Sequence, residues 1–207
     1  VIGDVEWWKV NNDNTVDIVK DINPGGGGAQ LGAPSLGLDL IFFEAHSGGP
    51  QGSKLWITDG TESGTKSIED DMRVGAGKGV EYNGKIYLMA DKPGNDGFEL
   101  FKADQSGASM VRNINTVEFG GSQPKAGDFH GVVYKGHLYF NAFEPIHADA
   151  LWKTDGTEAG TVMVKDLYPG SNSGKGGIGA MKVYNDYLYF TAEDSTPGND
   201  LWRTDGT

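Results

Sequence analysis

Apolar residues along this chain alternate with polar ones in short runs, and no stretch keeps a helical period for more than two turns. The runs LIFFEA, KIYLMA, HLYFNA and YLYFTA are rich in aromatic and branched residues, as strands packed on both faces require. Small-residue segments such as GAPSLGL and GIGAMKVY come before them. The joining turns read YNGK (82–85), YKGH (134–137) and YNDY (184–187), where Asn-Gly and Lys-Gly supply the positive φ of a tight hairpin. A polar loop follows each aromatic run, then a strand LWxT. The next turn, DGTxxGT, places Gly156 at a left-handed position and leads into a fourth strand such as VMVKDL. The pattern predicts an all-β chain built from four-stranded units.

The units repeat. LWITDGTESGT (55–65), LWKTDGTEAGT (151–161) and LWRTDGT (201–207) are nearly identical, and EWWKVNNDNT (6–15) and LFKADQSGAS (100–109) are degenerate copies. Taking Trp7, Trp56, Phe101, Trp152 and Trp202 as reference positions gives spacings of 49, 45, 51 and 50 residues. Four-stranded units at that period predict a β-propeller occupying 1–207 as one domain. Its units run around 7–55, 56–100, 101–151 and 152–201, with 202–207 as a closing strand. The N-terminal segment through Ile22 supplies strands three and four of a unit, and the C-terminal segment supplies strands one to three. Together they predict four blades closed by a blade shared between the ends. The small pairs Gly32-Ala33, Gly75-Ala76, Ala126-Gly127 and Gly179-Ala180 suit crowded inner strands. LWRTDGT duplicates the place that Trp7 fills, which leaves open a larger ring or a ring made by two chains.

Composition narrows the partners. Lys plus Arg is 17 and Asp plus Glu is 29, a net charge of −12, so phosphate backbones and anionic membrane surfaces are repelled. No apolar run is long enough to cross a bilayer. Gly is 33 of 207, about 16% against an average of roughly 7%, which the turns and inner strands absorb. The opening VIGDVEWW has no Met and no leader pattern and reads as a processed or trimmed end. The absence of Cys suits an exported or a cytosolic protein alike.

The motif LWxTDGTxxGT, followed by VKDL and PG and preceded by the LYF-Ala run, resembles the ELWxxDGT (hyalin-like) repeat of bacterial secreted and surface proteins. The resemblance spans the chain. It departs at LFKADQSGAS, at NNDN in the first copy, and at the Glu of ELW, for which Lys54, Ala150 and Asp200 stand and only Glu99 matches. It implies a propeller, a secreted or cell-surface location, and a binding or adhesive role with no catalytic residues to transfer.

Candidate sites divide into turns, loops and off-pattern aromatics. Asp59, Asp155 and Asp205 read as hairpin residues, because DGT offers one carboxylate where a calcium loop needs several. Two loops are richer: Asp91 with Asp96, and Glu193, Asp194 and Asp200, each gather acids with an amide and Gly that suit one Ca²⁺. No cofactor is required by the sequence. The recurring Trp residues read as core between blades. Trp8, Phe119, Phe143 and Tyr168 fall outside the repeat pattern and are the candidates for stacking on a sugar face, with Asp194 as a hydrogen-bonding neighbour. The four His never stand at zinc spacing, no GxSxG elbow occurs, and GGGG (25–28) lacks the lysine and helix of a phosphate loop.

The leading expectation is therefore a non-enzymatic, lectin-like adhesion module for glycans or cell-surface polysaccharide, with room for a homo-oligomer. The alternatives are a purely structural propeller, with or without calcium, and a hydrolase with its site at the propeller axis.

Overall fold

The computed structural model describes residues 6–22, 35–46, 53–75, 78–94, 97–115, 129–144, 147–167, 177–194 and 198–206. Eighteen strands and no helix occur among them. They form five antiparallel sheets in chain order. The first is a pair, β1 (Trp7–Val10) with β2 (Val16–Lys20). The second is β3 (Ser35–Gly37), β4 (Leu40–His46), β5 (Ser53–Thr58) and β6 (Lys66–Glu69). In the third, β7 (Arg73–Val74) and β8 (Val80–Tyr82) both pair with β9 (Lys85–Asp91), which pairs with β10 (Glu99–Asp104) and then β11 (Gly107–Arg112). The fourth is β12 (Gly131–Tyr134), β13 (His137–Glu144), β14 (Ala148–Thr154) and β15 (Val162–Lys165). The fifth is β16 (Ile178–Tyr184), β17 (Tyr187–Glu193) and β18 (Asn199–Thr204). Each sheet is an up-and-down meander, as the alternating pattern requires.

The hairpins form where the turn residues predict them. Asn83 and Gly84, Lys135 and Gly136, and Asn185 and Asp186 all have positive φ, the backbone of a two-residue turn matched to strand twist. Leu38 and Asp39 do the same in the second sheet, although leucine, unlike aspartate, rarely adopts that region.

The core lies between sheets, because consecutive sheets pack their apolar faces on one another. Leu40, Phe42, Leu55 and Ile57 pack with Ile86, Leu88 and Phe101 of the third sheet. Tyr82, Tyr87 and Leu100 of that sheet meet Phe129, Leu138, Phe140 and Trp152 of the fourth. Tyr134, Tyr139 and Leu151 then meet Leu188 and Phe190 of the fifth. Tyrosines fasten the contacts: Tyr82 Oη donates to the Gly136 carbonyl at 2.6 Å, and Tyr134 Oη donates to that of Asp186. Gly37 faces Ile86 so closely that a Cβ there would collide with its Cδ1.

Two expectations need correction. The ring of four closed by a shared blade is not formed: β2 pairs with β1 alone, and β18 pairs only with β17 among the described strands. The first copy of the repeat is also shifted by one residue. A bulge separates Leu55 from Trp56, Leu100 from Phe101 and Leu151 from Trp152, and in β1 the bulge falls between Trp7 and Trp8. Trp8, not Trp7, is therefore the counterpart of Trp56. The LW signature favoured Trp7, but ladder register decides the alignment.

Candidate functional site

The DGT turns are structural, and their hydrogen bonds account for every specified residue. Asp155 Oδ1 accepts from the Thr157 amide at 2.9 Å and hydroxyl at 2.7 Å, and Thr157 Oγ1 accepts from the Gly160 amide at 3.0 Å. Thr161 Oγ1 donates to the Thr157 carbonyl at 2.6 Å and lies 2.7 Å from Thr154 Oγ1, which accepts from the Gly156 amide. Residues 58–65 repeat the network, with Asp59, Thr61, Thr65 and Thr58 in the same roles. The Thr157 and Thr61 hydroxyls hold the carboxyls of Asp155 and Asp59 below the ordinary range. Each aspartate is thus occupied by its own turn.

The irregular polar chemistry gathers at the opposite end of the strands, in the third and fourth sheets. Arg73 lies 3.8 Å from Asp91, its backbone partner across β7 and β9. The same guanidinium stands 5.3 Å over the Phe98 ring, which packs against the core shared with the fourth sheet. Burial pushes the Asp91 carboxyl up, and Arg73 opposes it. In the fourth sheet Asn141 Oδ1 accepts from the His130 amide at 2.8 Å, and Phe143 pairs across the ladder with Asp149. Burial pushes the Asp149 carboxyl up as well, with His130 opposing. A carboxyl whose ionised form burial disfavours is a candidate acid group.

The residues singled out by sequence do not converge. Trp8 is on β1, Phe143 on β13, and Asp194 just beyond β17, three different sheets. Phe119, Tyr168 and Asp96 lie outside the described residues. Asp91 is on β9, whereas Glu193 and Asp200 share the β17–β18 hairpin, where Asp200 pairs with Ala192. Among the described residues no three His, Asp or Glu side chains are placed to hold a metal ion. Arg73, Phe98, Asn141 and Asp149 escaped the sequence reading, which searched for off-pattern aromatics and loop acids, and His130 was weighed only for zinc spacing. The available signal was that Asp149 stands at a strand position where other copies carry Ser53, Phe98 and Asn199.

No protein-family model matches the chain, and no curated protein matches it. Solved structures do. A puromycin hydrolase is similar over 94% of this chain and 29% of its own, with 14% identity and a TM-score of 0.57. A prolyl endopeptidase is similar over 84% of this chain and 28% of its own, with 15% identity and a TM-score of 0.51. The chain thus spans less than a third of the length of these proteins. They are hydrolases, and they overturn the leading expectation of a non-enzymatic, glycan-directed adhesion module.

Proposed function

We propose that the chain is an arc of β-propeller blades that serves as the structural platform of a hydrolase-type protein, with the catalytic unit supplied elsewhere in the assembly. The carrying observation is the likeness to puromycin hydrolase, which takes in 94% of this chain and 29% of that one. Sheet-on-sheet packing without a closed ring among the described strands supports the same reading. Blades of this kind give a rigid wall, and their loop-bearing end is where a substrate path would be lined.

One observation favours a second reading, in which the chain itself supplies an acid group. It is the half-buried Asp149 carboxyl, which burial pushes up and His130 opposes. The two readings separate in one experiment. The purified chain is assayed against peptidyl, aminoacyl and glycosyl nitrophenyl or nitroanilide reporters, and its shape is measured by small-angle X-ray scattering. The platform reading expects an open arc and no release above the blank. Turnover that disappears in Asp149→Asn would replace it with the second.

A further inference from the structure

Successive sheets are fastened at the hairpins between their first two strands. Tyr82, just before the Asn83-Gly84 turn, donates its hydroxyl to the Gly136 carbonyl in the hairpin of the fourth sheet. Tyr134, just before Lys135-Gly136, donates to the Asp186 carbonyl in the hairpin of the fifth. The second sheet departs from this pattern. Gly37 stands before its Leu38-Asp39 turn, so no tyrosine reaches from there to the third sheet. The link at this hairpin runs the other way: the Leu38 amide donates to Glu81 Oε2 at 3.1 Å. Leu38 holds φ 57°, and a strained backbone of this kind persists only where neighbours fix it. Beside that bond the surface opens into a cleft of about 500 Å³. Leu36, Leu38, Leu40 and Ile41 form its apolar wall, and Asp39 and Glu81 are its charged groups. Leu36 is 70% exposed. Among the described residues no basic side chain lines the cleft, and neither carboxylate is ion-paired.

We propose that this cleft binds a small organic ammonium ion with an apolar body. The hydrocarbon part lies on Leu36 and Leu38, and the ammonium meets the carboxylates of Glu81 and Asp39. The volume falls within the range of small-ligand sites, roughly 300–1,000 Å³. The charge is complementary, since the cleft offers acid without base in a chain of net charge −12, which concentrates cations near its surface. The apolar body gains by covering a leucine that the hairpin leaves in water. A carboxylate accepts at both oxygens, so Glu81 can take the ammonium without releasing the Leu38 amide. Because that bond already fixes the turn, the wall is set before the ligand arrives. A second copy of the chain is a poor occupant, as two chains of net charge −12 repel. The cleft lies at the turn end of the strands, away from Asp149, and is independent of any hydrolytic role.

The probe is phenethylamine, titrated into the intact isotope-labelled chain and followed by amide NMR. Saturable shifts are expected at residues 36–41 and 81. N-acetylphenethylamine keeps the ring without the charge, and methylamine keeps the charge without the ring. Each should bind at least about tenfold more weakly. Glu81→Gln removes the charge but keeps an oxygen for the Leu38 amide, and should weaken phenethylamine about fivefold or more. Leu36→Ser should weaken it by a similar factor. Glu158→Gln, at an exposed glutamate of the fourth sheet's DGT turn, should leave binding unchanged. Matching circular dichroism spectra confirm that the variants fold. Equal binding of the neutral amide would overturn the proposal, as would an equal loss in Glu158→Gln, which marks general charge attraction. No saturable shift, or shifts centred on other residues, would overturn it too. So would a sedimentation result in which the chain dimerises and Leu36→Ser restores the monomer, since that assigns the cleft to a second copy.

Discussion

Trp8 and Trp56 hold the same place in successive sheets, each directly after a bulge. The ladder puts Trp8 opposite Ile18 and Trp56 opposite Ser67. What differs is the neighbour. Trp56 packs with Ile22, stacks at 6.4 Å on Phe43 and is 8% exposed, whereas Trp8 is 58% exposed. Truncating a buried Trp removes its transfer energy and leaves a cavity, so Trp56→Ala should cost about 3–5 kcal/mol. Trp8→Ala should change stability by no more than about 0.5 kcal/mol, as surface substitutions do. Urea unfolding of the two variants measures both, and acrylamide should quench Trp8 fluorescence far more strongly. An equal cost for the two would mean that β1 is packed on its open face.

The turns and strands were legible because their causes are local. Asn83-Gly84 and Lys135-Gly136 form hairpins by their own backbone preferences, and the Tyr/Phe runs form central strands because both faces find a neighbouring sheet. The register of the first copy was not legible, since EWW offers two tryptophans and only the bulge between them decides. Closure was not legible either: it depends on the angle between successive sheets, which no local pattern encodes. The partial burial of Asp149 follows from no local pattern either, whereas the aspartates of the DGT turns follow from residues within five positions.

Glu99 explains why a glutamate belongs before LW. Its side chain is fully buried, and its carboxylate accepts from the amides of Ile114 and Asn115, the latter at 3.1 Å, where the chain leaves β11. Glu6, which the corrected register places at the same position, accepts from the Ile22 amide at 3.2 Å. Glu99→Ala leaves two buried donors without an acceptor and should cost about 2–4 kcal/mol. Glu99→Gln keeps one acceptor oxygen and should lose less than half as much. A cost for Glu99→Ala below that of Glu99→Gln in urea unfolding would show that the carboxylate is not the group that matters.

The last glycine of DGTxxGT makes room for the aspartate. A Cβ on Gly160 would collide with Asp155 Oδ1, and Gly64 stands in the same relation to Asp59. Gly160→Ala should therefore push the Asp155 carboxylate off Thr157 and let its pKa rise back toward the ordinary value. Carboxyl-detected NMR titration reads that shift directly. Asp59, whose turn is untouched, should keep its depressed value in the same spectrum.

Two aspartates should bend the stability–pH curve in opposite senses. The ammonium of Lys85, with help from Ser106, lowers Asp104 to about 2 in the folded chain. Its contribution is present above the ordinary carboxylate range and is lost as pH falls through about 2. The Lys85 side chain that pairs with Asp104 is 41% exposed, so solvent screening keeps that contribution small. Burial raises Asp149 instead, so the folded chain holds this proton more tightly than the unfolded chain does. Stability then declines as pH rises from the unfolded carboxylate value to the raised folded one. Asp149→Asn removes a charge that the folded interior disfavours, and should raise the midpoint of thermal unfolding at neutral pH while leaving it nearly unchanged near pH 3. Asp104→Asn should lower the midpoint at neutral pH and flatten the acid limb. Thermal scans of both variants between pH 2 and pH 8 separate the two effects. A lower neutral-pH midpoint for Asp149→Asn would show instead that His130 stabilises the charged carboxylate more than burial penalises it.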